Sequence, residues 1–346
     1  MERLRRFRMA LAEKKMDSAL VTGRENIRYL SGFTGTAGYL LITERAQYLV
    51  TDFRYLEQAA QQAQGFTVKN APEFDLKAVA KGCHNTGFED LSLSYALYAR
   101  YREHFKKMSP MGRMLTHLRS IKDENEIHCI RRAAEIADRA FSHIITYMKA
   151  GMSELEVALE LEFYMRKSGA SGLSFDTIVA SGARGSLPHG APTDKRLEPG
   201  ELVVMDFGCV VDGYCSDMTR TVGIGDVPVD QRLVYDTVLR TQMRVLECIR
   251  AGENCARLHR VAADMLDEAY PGSFGHALGH GVGLEIHEEP TLSPKSDVPL
   301  PIDSVVTVEP GAYLPGVCGV RIEDLLVVRA DGVENLTHSP KELLII

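Results

Sequence analysis

The chain of 346 residues carries 40 Lys+Arg against 47 Asp+Glu, a formal net charge of −7, with 45% apolar and 25% charged residues. This is the composition of a folded globular protein and excludes a disordered, collagenous or fibrous chain. The acidic balance argues against nucleic acid or an anionic membrane as the main partner, and no uninterrupted apolar run approaches the roughly 18 residues of a membrane span.

The opening stretch, residues 1–15, is basic, but no apolar segment follows it, so it does not read as a signal peptide. Leu4, Phe7 and Leu11 fall on one face of a helix. Short strands are expected over Ser18–Thr22, Tyr39–Ile42 and Gln47–Thr51, then a helix from Tyr55 to Ala63, with Gly32, Gly35 and Gly38 punctuating a loop. This first part is mixed α/β and holds no metal-ligand or nucleophile spacing. Polar Ser120–Asn125 forms a connector before a long helix from about Glu126 to Met148. The length favours two domains, drawn here at 1–120 and 121–346. Seven cysteines, an odd count with no close CxxC pair, point to reduced thiols in a cytoplasm.

The second part repeats itself. Lys149-Ala150-Gly151 closes one long helix and opens another, and Arg250-Ala251-Gly252 does the same further on. Leu197–Gly208 and Leu300–Gly311 each run through a turn, a β-branched strand, a carboxylate and a glycine, the carboxylates being Asp206 and Glu309. Two repeats are too few for a solenoid. They describe a duplicated α+β unit that makes one domain with a site at its seam.

Asp206 ends an apolar strand, where an unpaired charge is costly to bury. Asp217 follows beyond the turn signal Asp212-Gly213. A hairpin with a four-residue loop over 210–213 sets Asp206 directly opposite Asp217. A two-residue loop at 212–213 still leaves them on one face, and an odd loop does not. Glu309 and Glu323 repeat the arrangement around Pro315-Gly316: a three- or five-residue loop centred on Gly316 sets the two opposite one another. Like charges so close destabilise a sheet and raise carboxylate pKa values, and a bound cation removes that conflict. Singly, each acid reads as a solvated strand end or an arginine partner. Two hairpins with facing acids at matching repeat positions point to a metal.

Phe274–Pro290 adds His276, His280 and His287. The His276/His280 spacing would suit zinc on a helix. Gly275, Gly279, Gly281 and Gly283 argue instead for a strand or loop that lets backbone and ligand approach closely. The clustering favours a functional role for His280 and His287 and leaves His276 open. His189 stands in another turn, Leu187-Pro188-His189-Gly190. His280 and His287 are seven residues apart, so a regular strand would point them to opposite faces; the glycines must bend the chain if both serve one site. Other matches fail. Asp206-Phe207-Gly208 lacks every companion of the kinase tripeptide, Gly279-His280-Gly281 lacks the context of a dinucleotide site, and no GxSxG elbow occurs.

These residues together resemble the pita-bread metallopeptidases, the group of methionine aminopeptidase, aminopeptidase P and prolidase. The nearest likeness is to small bacterial Xaa-Pro peptidases with a creatinase-like N-terminal domain. Asn26–Gly35 and Thr51–Tyr55 look like that N-terminal domain. The sharper motifs are Met205–Gly208, Ser216–Thr221, Gly279–Pro290, Val308–Gly311 and Arg321–Asp324. The implied fold is α+β, a creatinase-like α/β domain followed by a duplicated α+β pita-bread catalytic domain.

By that resemblance, all five metal-ligand positions are filled. Asp217, His280, Glu309 and Glu323 hold one metal, and Asp206, Asp217 and Glu323 hold the other. The expected cofactors are two divalent ions, Mn2+ first, with Co2+ or Zn2+ as alternatives, since four carboxylates and one imidazole suit Mn2+ or Co2+ better than a thiolate-rich zinc site does. Two such ions share a water, lower its pKa and clamp a tetrahedral intermediate. Glu309 is the candidate general base. His189 and His287 match the family's two non-ligand histidines and are assigned to substrate orientation and charge stabilisation. Arg321, on the face of Glu323, is expected to orient the ligand carboxylates, and His276 to contact substrate or ligands from outside the metal set. The implied activity is release of the N-terminal residue before a proline. Prolidases that clamp a dipeptide carboxylate tend to carry an arginine after the His-Glu-x-Pro stretch; here Thr291 follows Pro290, which tips the expectation toward an Xaa-Pro aminopeptidase over an Xaa-Pro dipeptidase. An inactive binding protein of this fold usually lacks several ligands, and none is missing here. The expected partners are short peptides with proline second and a second copy of the chain in a homodimer.

Overall fold

The computed structural model describes residues 2–346. The chain divides into two compact units, Met1–Arg119 and Ser120–Ile346. In the first, helix Glu2–Glu13 buries Leu4, Phe7 and Leu11. A six-stranded sheet follows, built from β1 (Ser18–Val21), β2 (Tyr39–Thr43), β3 (Gln47–Thr51), β4 (Thr67–Asn70), β5 (Thr86–Phe88) and β6 (Met108–Pro110), in the order β4-β3-β2-β1-β5-β6. Every residue of β1 is buried, as a central strand requires. The expected helix after β3 forms over Leu56–Gln62. Strands β4 to β6 and helix Arg24–Ser31 were not anticipated. β5 and β6 have three residues each, too few to show a period.

The second unit is built twice over. Helix Glu124–Tyr147 starts on a capping box of Asp123 and Glu126, and helix Glu154–Lys167 on one of Ser153 and Glu156; each satisfies two amide donors that the helix leaves free. Their buried faces, Phe141, Ile144, Val157 and Leu161 among them, share a core with Val203, Met205, Phe207 and Val222. This half comprises β7 (Gly172–Leu173), β8 (Ile178–Ser181), β9 (Leu202–Phe207), β10 (Cys209–Val211), β11 (Tyr214–Cys215) and β12 (Met218–Gly223). In the other half, helices Val229–Cys248 and Cys255–Ala269 contribute Val245, Leu258 and Ala262 to a core with Val306, Val308, Leu326 and Val328. Its strands are β13 (Gly279–Gly281), β14 (Glu288–Leu292), β15 (Val305–Val308), β16 (Gly311–Leu314), β17 (Cys318–Arg321), β18 (Asp324–Arg329) and β19 (Gly332–Asn335). They pair as β14-β13-β15-β18-β19, with β16-β17 separate. The helix pairs and strands thus recur in the order the sequence repeat implied.

The two carboxylate hairpins differ in how their registers came out. Around Gly316 the loop has three residues: Leu314 lies opposite Cys318, Gly311 opposite Arg321 and Val308 opposite Asp324. That single register sets Glu309 opposite Glu323, as expected. The first hairpin departs from the four-residue loop. Val211 pairs with Tyr214, so the turn closes on Asp212 and Gly213 alone. Both have positive φ, 46° and 77°, the requirement of a two-residue turn whose twist matches its strands. Asp206 therefore faces Thr219 rather than Asp217, and the two acids share a face diagonally. No helix among the described residues is long and apolar enough to cross a membrane.

Candidate metal centre

Five chain segments deliver the acidic cluster. Asp206 lies near the end of β9, Asp217 just before β12, His280 in the middle of β13, Glu309 just after β15, and Glu323 between β17 and β18. Two backbone amides pin the acids: Glu309 N–H donates to the Leu278 carbonyl and Glu323 N–H to that of Thr219. The glycines flanking His280 let its strand sit this close. A Cβ on Gly279 would lie 2.0 Å from the Thr307 carbonyl oxygen, and one on Gly281 2.3 Å from that of Glu289.

Asp217, His280 and Glu323 bring ligand atoms within 4.8 Å of one another. His280 Nε2 lies 3.5 Å from Asp217 Oδ2 and 3.4 Å from Glu309 Oε1. Its Nδ1 faces the Gly281 carbonyl at 3.1 Å, an arrangement that makes Nδ1 the protonated nitrogen and leaves Nε2 free to ligate. Thr307 ties the group together, accepting from the His280 amide and donating to Glu309 Oε1. Asp206 stands at the side of the cluster, its Oδ2 accepting from Arg321 Nη2 at 2.5 Å.

Burial, followed by the charges of Glu323, Asp206 and Glu309, holds the Asp217 carboxyl well above its ordinary range. Glu323 is raised in the same way, by burial first and then Glu309 and Asp206. Glu309 is pushed up to about 8 by burial and Asp206, against the pull of Arg321. Burial lowers His280 to about 4, so its imidazole is neutral at pH 7. Arg321 itself is disfavoured by burial, yet Tyr313, Asp206, Glu309 and Glu323 outweigh that and hold it firmly charged. Two carboxylate oxygens, Asp206 Oδ1 and Glu323 Oε1, are buried with no hydrogen-bond partner. Four crowded acids, a neutral imidazole and orphaned oxygens form a set that divalent cations complete; without them the cluster repels itself.

The other histidines take different places. His287 is exposed, its ring 4.4 Å from that of His280 between centroids. His189 is also exposed, and the neighbouring Pro188 carbonyl accepts from Arg321 Nη1. His276 lies outside the ligand cluster. Its Nδ1 faces the Ala277 carbonyl at 2.7 Å and its Nε2 the Tyr313 hydroxyl at 3.0 Å, and that hydroxyl accepts from Arg321. Burial, then Arg321, lowers His276 to about 4.

Three residues here were missed by sequence reasoning. Thr219 accepts from Arg321 Nε and donates to Glu323 Oε2 at 2.7 Å. Thr219 stands two residues after Asp217 and Thr307 two before Glu309, so the two-residue period of a strand could have found both. Tyr313 carries no such signal.

The sequence pattern of metallopeptidase family M24 matches residues 128–330, and that of the creatinase/prolidase N-terminal domain matches residues 3–121. The "Uncharacterized peptidase YqhT" of Bacillus subtilis (strain 168) is 43% identical over 99% of this chain and 100% of its own. The solved structure of an Xaa-Pro dipeptidase from Bacillus anthracis superposes with a TM-score of 0.97 at 43% identity, covering 100% of this chain and 99% of that one. A second, the X-Pro aminopeptidase from Thermotoga maritima MSB8, gives a TM-score of 0.90 at 38% identity, covering 98% and 100%.

Proposed function

Since the chain belongs to metallopeptidase family M24, whose enzymes use divalent metal ions, we propose that it hydrolyses the bond between an N-terminal residue and a following proline, and that it prefers peptides of three or more residues. The observation that carries this reading is the convergence of Asp217, His280, Glu309 and Glu323, with Asp206 beside them and two acid oxygens left unpartnered. In this reading Asp217, His280, Glu309 and Glu323 hold one ion, and Asp206, Asp217 and Glu323 the other. The oxygen-rich donor set favours Mn2+ or Co2+. When bound, the ions supply Lewis acidity and lower the pKa of a water.

The chain's own groups do the rest. Thr307 holds Glu309 through Oε1, which leaves the other oxygen to take the attacking water's proton. His287, whose ring meets that of His280, and His189, which follows the Pro188 carbonyl that Arg321 bonds, are exposed and donate hydrogen bonds to the substrate where charge develops. Arg321 fixes Asp206 and Thr219, and through Thr219 the carboxylate of Glu323. The seven cysteines are free thiols, which supports the cytoplasm as its compartment.

The preference for longer peptides rests on charge. Thr291 is uncharged and exposed. Arg321 commits four of its N–H donors to Thr219, Pro188, Tyr313 and Asp206, so it has no pair of donors left for a two-point clamp on the free carboxylate of a dipeptide. The second reading is an Xaa-Pro dipeptidase, favoured by the likeness to the Xaa-Pro dipeptidase from Bacillus anthracis. Comparing kcat/KM for Ala-Pro and Ala-Pro-Ala with Mn2+ decides between them. The proposal expects the tripeptide to be the better substrate; a clear advantage for the dipeptide gives the second reading.

A further inference from the structure

His287 must leave the line of β13 to share a site with His280, and a buried ion pair stands where that bend is made. β13 ends at Gly281 and β14 begins at Glu288, and these two residues face one another across the antiparallel pair. Glu288 turns inward: its side chain is 1% exposed and its Oε2 lies 3.4 Å from Lys122 Nζ, on a side chain that is 0% exposed. Lys122 is anchored in turn, its amide donating to the Asp303 carbonyl and its ammonium to that of Ser120. The other Glu288 oxygen accepts from the Glu285 amide at 3.0 Å, inside the bend. Gly283 makes room for it, since a Cβ there would meet Glu288 Oε2 at 2.5 Å. Gly283 also receives the Cys215 amide on its carbonyl, two residues before Asp217.

Glu288 opens β14 and His287 is the last residue of the bend before it, so anchoring Glu288 inward fixes the backbone from which His287 projects to meet the ring of His280. Burying two charges is a poor way to gain stability, since their desolvation offsets their attraction; a buried pair makes more sense as a device that fixes one geometry. We propose that Lys122 and Glu288 are positioning residues that hold His287 in its catalytic orientation, Lys122 acting through Glu288. This rests on the reading of His287 as a hydrogen-bond donor to an Xaa-Pro substrate.

The test is a double-mutant cycle on kcat for Ala-Pro-Ala with Mn2+, with metal content measured alongside. One arm is the paired change Lys122→Met with Glu288→Gln, which removes both charges together. The other arm is His287→Ala. Misplacing a catalytic group by about 1 Å can cost about 10²-fold, so the paired change should lower kcat by about 10- to 100-fold with both metals retained. In the His287→Ala background the same change should cost less than about 2-fold, because its effect passes through His287. An equal factor in both backgrounds, or loss of metal, overturns the proposal. Gly283→Ala, whose Cβ presses on the Glu288 carboxylate, should give the same non-additivity and serves if the paired variant does not fold. Wild-type, metal-loaded protein that cleaves no Xaa-Pro bond overturns the functional reading itself, and does so before any variant is made.

Discussion

Stripping the metals should make the protein's stability depend on pH in a way the loaded protein does not share. Glu309 has a folded pKa of about 8 against an ordinary 4.5. Between those values the folded chain holds a proton that the unfolded chain has released, so stability is present at low pH and lost as pH rises toward 8. From pH 7.0 to 8.5, Glu309 alone removes about 1.3 kcal/mol from the metal-free form. Asp217 and Glu323, also raised, act in the same direction. His280 and His276, lowered to about 4, act oppositely, but most of their effect falls below pH 6.5, and above pH 7.0 the two together offset about 0.3 kcal/mol. Buried thiols such as Cys209 and Cys215, both pushed up by burial, lower stability at high pH equally in both forms. The quantity to measure is therefore the gap between loaded and metal-free protein, by denaturant unfolding or calorimetry at pH 7.0 and 8.5. It should widen by about 1 kcal/mol or more, roughly 1–2 °C in Tm for a chain of this length. A gap that stays constant or narrows would refute the picture of mutually repelling acids neutralised by metal.

Four substitutions test individual roles. Asp217→Asn should lose both metal equivalents and nearly all turnover while keeping the fold, and Asp206→Asn should keep one equivalent; elemental analysis beside circular dichroism reads both. His287→Ala should retain both metals and lose about 10²–10³ in kcat on Ala-Pro-Ala; metal loss would make it a ligand, and near-normal kcat a structural residue. Arg321→Met leaves Asp206 without its counter-charge, and breaking a buried pair this way costs about 3–5 kcal/mol. Urea unfolding of the metal-free variant should show that loss, and added Mn2+ should recover part of it.

Much of this site was legible because its residues sit at the ends of strongly apolar strands. The run before Glu309 fixes a strand, Gly316 centres its hairpin, and the period of two then puts Glu323 opposite Glu309. The same logic placed Asp206 and Asp217 on one face, but their direct opposition depended on turn length. The strength of Asp212-Gly213 as a two-residue turn decided that point. The contacts that orient the acids were harder to see. Thr219 and Thr307 look like ordinary strand threonines, and Tyr313 meets His276 and Arg321 only through tertiary packing. Lys122 and Glu288 lie 166 residues apart, a pairing no local pattern reveals. In the N-terminal unit the long apolar strands were readable, whereas β4, half-exposed along its length, and the three-residue β5 and β6 carry too little pattern to announce themselves.

The central claim is a two-metal centre that cleaves before proline, and a metal titration monitored by catalysis tests it most directly. Chelated protein should be inactive on Ala-Pro-Ala. Adding Mn2+ in steps should fill two sites per chain, with release of free alanine saturating as the second fills. Activity that survives chelation, saturation at one equivalent, or two filled sites with no alanine released would each contradict the account.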